Sequence, residues 1–218
     1  MKFDIVTLFP ELVANYFSAT ILSRARKQGR IKVNVVDLRR FAKPGDVHKS
    51  VDDRPYGGGP GMLLKVEPIY RALRHLRVYP PSSGLWQTTF SRRGEKGSDR
   101  SGRSAASPRR PAPSDDGGEA RRGVRGRSQR TRIILLTPAG KRFTQREAER
   151  LAKYDRLVLL SGRYEGFDAR VSKLVDEELS LGDFVLAGGE LPAMAVGETV
   201  ARHVPGVVGH PDALKEET

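Results

Sequence analysis

Five short runs dense in β-branched and aliphatic residues punctuate the chain: FDIVTLF at 3–9, IKVNVVDL at 31–38, RIILLTP at 132–138, RLVLLSG at 156–162 and LSLGDFVLAG at 179–188. Several are apolar at consecutive positions, the pattern of strands buried on both faces. Stretches of helical character separate them. One covers 10–29, opened by Pro10 and closed by Gly29; others cover 67–77, 144–155 and 189–204, and in the third Thr144 and Glu147 have capping-box spacing. The alternation predicts an α/β domain with a mainly parallel sheet of five to six strands and helices on both faces.

Composition narrows the function classes. The 218 residues hold no apolar run approaching the roughly 20 residues of a bilayer span, and Met1 leads directly into the first strand, so a cytoplasmic protein with no membrane partner is expected. There is no cysteine, hence no disulfide framework and no thiol nucleophile. Four scattered histidines (His48, His75, His203, His210) show no metal spacing, so no metal ligand is assigned. The net charge of +13 points to a polyanionic partner. Residues 91–130 carry twelve basic and five acidic side chains, +7 of that total, and their only apolar side chains are alanines and one valine. Such a segment cannot offset its ordering entropy by burial and reads as a disordered basic insertion, bounded at 78–131. It is either a solvated insertion or an RNA-contacting loop.

Ligands in parallel α/β sheets sit at the carboxyl ends of the strands. There the chain has TPAGKRFTQ, SGRYEGFDAR and LAGGELPAM, each a strand end followed by glycine and polar residues. None fits a phosphate cradle, since neither G-x-x-x-x-G-K-[ST] nor a helix-opening G-x-G-x-x-G occurs at these ends. In the last of them Gly188 and Gly189 run straight into the carboxylate of Glu190. Glycines there serve either as a tight turn or as bare backbone for an adenosine. A further loop, VDDRPYGGGPGM at 51–62, gathers two aspartates, an arginine, a tyrosine and four glycines. It is either a flexible connection or a means of placing a base and its phosphate.

These motifs, with ARHVPGVVGH and the opening FDIVTLFPEL, closely resemble the bacterial tRNA (guanine-N1)-methyltransferases, the TrmD type of the SPOUT superfamily. The resemblance covers residue 1 to about residue 76, and 131–218. It implies transfer of a methyl group from S-adenosyl-L-methionine to N1 of the guanosine immediately 3′ of the tRNA anticodon. It also implies a deep C-terminal trefoil knot in the sheet, one of the rare departures from unthreaded topology. The expected organisation is a knotted domain over 1–210, interrupted by the insertion, then the start of an interdomain linker at 211–218. The family's C-terminal tRNA-binding domain has no counterpart in this sequence.

By the same resemblance the cofactor lies on Leu135, Leu136, Thr137 and Pro138, on Gly162 and Tyr164, and on Ser180, Leu181, Gly182, Phe184, Leu186, Gly188 and Gly189. Leu181, Phe184 and Leu186 would wall the adenine. The substrate loop would use Asp52, Asp53, Arg54, Tyr56 and Gly58. Methyl transfer from a sulfonium is an in-line displacement, and neutral guanine N1 carries a proton that a carboxylate must remove. The resemblance assigns that base to Glu217, where the family has Asp, with Glu216 the adjacent candidate. Arg202 assists, and Glu165 holds the guanine edge. Magnesium and a homodimer with shared active sites are implied in the same way. Other readings stay open at this level: Glu165 as the start of a helix, Arg202 as a solvated helix residue, Asp52, Asp53 and Arg54 as mutual partners, and the whole chain as a non-catalytic RNA clamp.

Overall fold

The computed structural model describes residues 1–55, 58–79 and 130–209. Tyr56, most of the basic insertion, His210, Glu216, Glu217 and the 211–218 linker lie outside the described residues.

The elements run β1 (Lys2–Thr7), α1 (Pro10–Tyr16), α2 (Thr20–Lys27), β2 (Lys32–Asp37), a 3-10 helix (Leu38–Phe41), β3 (Asp52–Asp53), β4 (Leu63–Leu64) and α3 (Val66–His75). After the insertion come β5 (Thr131–Arg142), α4 (Gln145–Leu151), β6 (Arg156–Ser161), a second 3-10 helix (Ala169–Leu174), β7 (Glu177–Ser180) and α5 (Glu190–Arg202). Five strands form one parallel sheet in the order β2-β1-β6-β5-β7, as the sequence pattern predicts. β6 is buried at every position. β2 is an edge strand and alternates instead.

Alternate side chains serve alternate faces. Phe3, Ile5, Ile134, Leu136, Leu157 and Leu159 share one buried cluster with Val13 and Phe17 from α1 and its cap, Leu22 from α2, Leu151 from α4, and Met194 and Val200 from α5. Their neighbours Val6, Ile133, Leu135, Val158 and Leu160 are buried as well. α3 packs with both 3-10 helices, burying Ile69, Leu73, Leu38, Val171 and Leu174. The fold continues past α3 to Tyr79, whose buried ring meets Tyr70 edge-on at 5.9 Å and whose hydroxyl donates to Lys173 O.

Three sequence expectations change. The single helix over 10–29 is two, because Phe17 turns into the core, its ring stacked on Phe3 at 6.5 Å. Ser18 Oγ bonds back to Ala14 O, Arg26 reaches back to Phe17 O, and Thr20 takes a positive φ of 51°. The strand expected over 179–188 is β7, Glu177–Ser180, and it stops where Ser180 Oγ donates to Gly182 O and accepts from Gly182 N. The capping box at Thr144 is not made: Thr144 gives no side-chain cap bond. Glu147 instead accepts from Lys141 at 2.7 Å and from Arg150 at 2.7 and 3.0 Å.

Buried ions tie the strands at the other end of the sheet. Asp4, wholly buried on β1, accepts from Arg156 Nε of β6 at 2.6 Å and from Asn34 Nδ2 of β2 at 2.6 Å. Removing one partner of such a pair leaves an uncompensated buried charge, typically at a cost of about 3–5 kcal/mol. On the other edge Arg150 joins Glu147 to Glu177, which also accepts from Arg132, so that α4, β5 and β7 share one network.

The Lys141 hydrogen bond, helped by Arg150, holds the Glu147 carboxyl below its ordinary 4.5. A depressed carboxyl contributes stability that is present above its unfolded pKa and is lost as pH falls through the folded value. The wild-type protein and Glu147→Gln should therefore differ in melting temperature at pH 7 and converge as pH falls below about 4.5. A constant gap from pH 7 to pH 3 in thermal unfolding would show that the ion pairs contribute nothing through titration.

Candidate active site

β6, β5 and β7 are neighbours in the sheet, so the loops leaving β6 and β7 meet beside a bulge inside β5, which stays a strand to Arg142 where the sequence predicts a loop from Thr137. They enclose an open-mouthed cleft of about 180 Å³. Leu136, Thr137 and Pro138 line it from β5, where the pairing with β7 breaks after Leu136 and resumes at Lys141. Pro138 fits there because a bulge needs no ladder N–H. Gly162, Tyr164 and Glu165 line it from β6, and Ser180, Leu181, Phe184, Leu186, Gly188 and Gly189 from the β7–α5 loop.

Thus the residues expected at a cofactor come together, with two exceptions. Leu135 is buried in the sheet and does not line the cleft, because it points to the face opposite Leu136. Gly182 is not a lining residue either; its backbone is taken by Ser180 Oγ. Arg163, Phe167, Val185 and Pro192 line the cleft and were not expected. The signal for Val185 was in the sequence, but an apolar run reads as strand. In the folded chain Phe184 and Val185 are instead 55% and 82% exposed, apolar surface left at the mouth of the cleft.

Why two glycines stand before Glu190 is now a matter of contact. A Cβ on Gly188 would lie 2.3 Å from Arg163 Nε and 2.5 Å from Glu190 Oε2. On Gly189 it would lie 2.7 Å from Gly162 N and 2.8 Å from Ser161 Cα. Gly189 N donates to Gly162 O at 2.8 Å, which docks the loop directly on the end of β6. Among the described residues, Ser161 Oγ beside that contact is the buried side-chain polar atom left without a hydrogen-bond partner.

The 51–65 segment docks on the same β6 loop. Glu165 N donates to Met62 O, Leu64 N to Gly166 O and Asp168 N to Leu64 O. Glu165 belongs to a turn, not a helix start; the preceding Tyr164 has φ 61°, and the next helical turn begins at Ala169 with Asp168 as its cap. Asp52 and Asp53 form β3, paired with β4, and Asp53 faces Lys65 at 3.8 Å. Arg54 and Gly58 are exposed. Arg202 sits at the last turn of the thirteen-residue α5, whose first turn borders the cleft. At 1.5 Å per residue it is about 18 Å along the axis from Glu190, at the end of the helix away from the cleft.

The family model for tRNA (guanine-1)-methyltransferase TrmD matches residues 1–93 and 119–218. The chain belongs to that family. Among curated relatives, the tRNA (guanine-N(1)-)-methyltransferase of Dictyoglomus turgidum is 37% identical over 218 residues, covering 100% of this chain and 68% of its own length. That of Desulfitobacterium hafniense is 40% identical over 218 residues, covering 100% of this chain and 64% of its own. The chain thus spans about two thirds of the length of these TrmD relatives. A solved structure of a tRNA (m1G37) methyltransferase from Aquifex aeolicus superposes with a TM-score of 0.66 at 32% identity, covering 97% of this chain and 73% of that one.

If the close backbone approach at Gly189 shapes the cleft, Gly189→Val should lower the melting temperature by several degrees, an overpacking cost of about 1–3 kcal/mol, and abolish binding of S-adenosylmethionine. Gly209→Val, at a position with no atom within 4 Å of its Cβ, should do neither. Thermal unfolding and calorimetric titration of the two variants side by side distinguish them; equal behaviour would remove the contact as the reason for the glycine.

Proposed function

We propose that this chain is the cofactor-binding part of an enzyme that methylates N1 of the guanosine at tRNA position 37, with S-adenosyl-L-methionine as donor. The observation that carries the reading is the convergence of the β5 bulge and two strand-end loops, in a member of a methyltransferase family, on one cleft lined by apolar side chains and glycines. Its lining fits the cofactor chemically. Leu181, Phe184 and Leu186 offer faces to an adenine, and the glycines at 162, 188 and 189 leave the wall without side chains where a ribose and an amino acid could approach the main chain.

When bound, S-adenosylmethionine supplies an electrophilic methyl group on a sulfonium. This chain's residues orient and deprotonate the acceptor. Glu165 lines the cleft and lies against Gly61 of the 51–62 loop, where it can accept from the edge of a guanine entering between the two loops. The carboxylate at Glu217, or Glu216 beside it, would take the N1 proton of the guanine. General-base catalysis of this kind contributes on the order of 10²–10⁴-fold. Among the described residues no group of three or more His, Cys, Asp or Glu side chains could hold a metal ion.

We also read the working form as a two-fold homodimer, because Arg202 stands at the end of α5 away from the cleft and a second copy could offer its own Arg202 to this one. The surface supports it: Leu12 and Tyr16 of α1 and Leu191 of α5 are large apolar side chains left exposed on two helices that pack together. Tyr16 donates to Glu198 of α5, which pushes the phenol up to about 12. Met194 and Val200 face the protein's own core, while Leu191 and Ala195 remain on the outer side. The trefoil knot and an intracellular site of action belong to the same proposal. No helix among the described residues is long and apolar enough to cross a membrane.

Incubation with labelled S-adenosylmethionine and a tRNA bearing guanosine at position 37, followed by mapping of the methylated atom, is expected to place the label on N1. Label on a ribose oxygen, or tight RNA binding with no affinity for the cofactor, would overturn the reading. Sedimentation at micromolar concentration should show a dimer; a monomer that methylates normally would sink the shared-site proposal.

A further inference from the structure

The β1–α1 turn is not part of the cleft, yet it is tied to it by a buried carboxylate. Glu190, the first residue of α5, is 1% exposed. Its Oε1 accepts from Thr7 Oγ1 at 2.8 Å and its Oε2 from Arg163 Nε at 2.8 Å. Thr7 Oγ1 accepts in turn from Phe9 N at 2.9 Å. Arg163 Nη1 donates to Ala187 O at 3.3 Å, and the guanidinium carbon lies 4.4 Å from the centre of the Phe9 ring. The pair crosses the face of Gly188, where any Cβ would meet both Arg163 and Glu190.

A buried ion pair is seldom worth more to folding than a well-packed apolar pair of the same volume. What this one supplies is geometry. One guanidinium holds the β6 loop to the β7–α5 loop through two acceptors, Glu190 and Ala187 O, on either side of the glycine pair. The carboxylate sits at the N-terminus of α5, where the helix dipole favours it, and is held from behind by Thr7. The planar fork of arginine meets both acceptors at once, which a lysine ammonium on its flexible stem does not reproduce.

On the reading that this cleft takes S-adenosylmethionine, we propose that Arg163 and Glu190 are positioning residues for the cofactor. They fix the spacing of the 162–167 and 187–189 loops, with Thr7 and Phe9 as the backing that keeps the pair in register. The arrangement makes cofactor affinity depend on an arginine clasped between loops, in addition to the side chains that wall the adenine.

The test compares two buried ion pairs at opposite ends of the same strand. Arg163→Met and Glu190→Gln are each expected to weaken S-adenosylmethionine binding by about tenfold or more in calorimetric titration, and the double variant to lose little beyond either single one, since both act through one contact. Arg156→Met, which breaks the pair with Asp4 at the amino end of β6, should lower the melting temperature but leave the affinity unchanged below it. Arg163→Lys keeps a charge beside Glu190, guarding against a failure to fold, and should still lose affinity. Wild-type affinity in Arg163→Met or Arg163→Lys, or an equal loss in Arg156→Met, overturns the positioning role. A wild-type chain that does not bind the cofactor at all overturns the reading of the cleft along with it.

Discussion

The hydrogen bond from Gly189 N to Gly162 O, 2.8 Å long and with no side chain on either residue, sets the closest approach in the cleft. It brings the chain leaving β7 directly onto the end of β6, although β5 lies between those strands in the sheet. Because backbone meets backbone, α5 starts against the carboxyl end of β6, and its first turn forms one wall of the cleft. At the bulge in β5, Gly140 packs on the backbone of Glu178 and Leu179 before pairing with β7 resumes at Lys141.

Two ion pairs, each on a wholly buried carboxylate, mark the two ends of β6. At the amino end Arg156 meets Asp4 and, through Asn34, spans three strands. At the carboxyl end Arg163 meets Glu190 and spans two loops and the β1–α1 turn. Between them every side chain of β6 is buried. An apolar strand can be exchanged for another of similar volume with modest effect, whereas each charged end carries a directional constraint. This division places rigidity in the sheet and specificity at its rims.

Much of the fold was legible in the sequence, because continuous apolar runs and helical periodicity report burial, and burial is local in its signature. The runs at 3–9, 31–38, 132–138 and 156–162 became parallel strands, and the loops after β6 and β7 were recognisable as a site from their glycines and polar residues, whereas the loop expected from Thr137 remains strand to Arg142. The run at 179–188 misled, since Leu181, Phe184, Val185 and Leu186 look like strand and serve as a cleft wall. Hydrophobicity records that a side chain avoids water, and a ligand surface avoids it as a core does. Likewise the pattern over 10–29 has one helical period, but the core demand of Phe17 breaks it in two.

The sequence by itself determined the class of fold, the order of its elements, the candidate loops and, by resemblance, the family. The tertiary structure alone decided that Glu190 answers Arg163 and Thr7, and that Gly188 and Gly189 are glycines because protein atoms occupy the space of their side chains. The physical reason is range. Periodicity and propensity act over a few residues, while Thr7 and Glu190 meet across a separation of 183 positions. Only the order of strands in the sheet could bring them together.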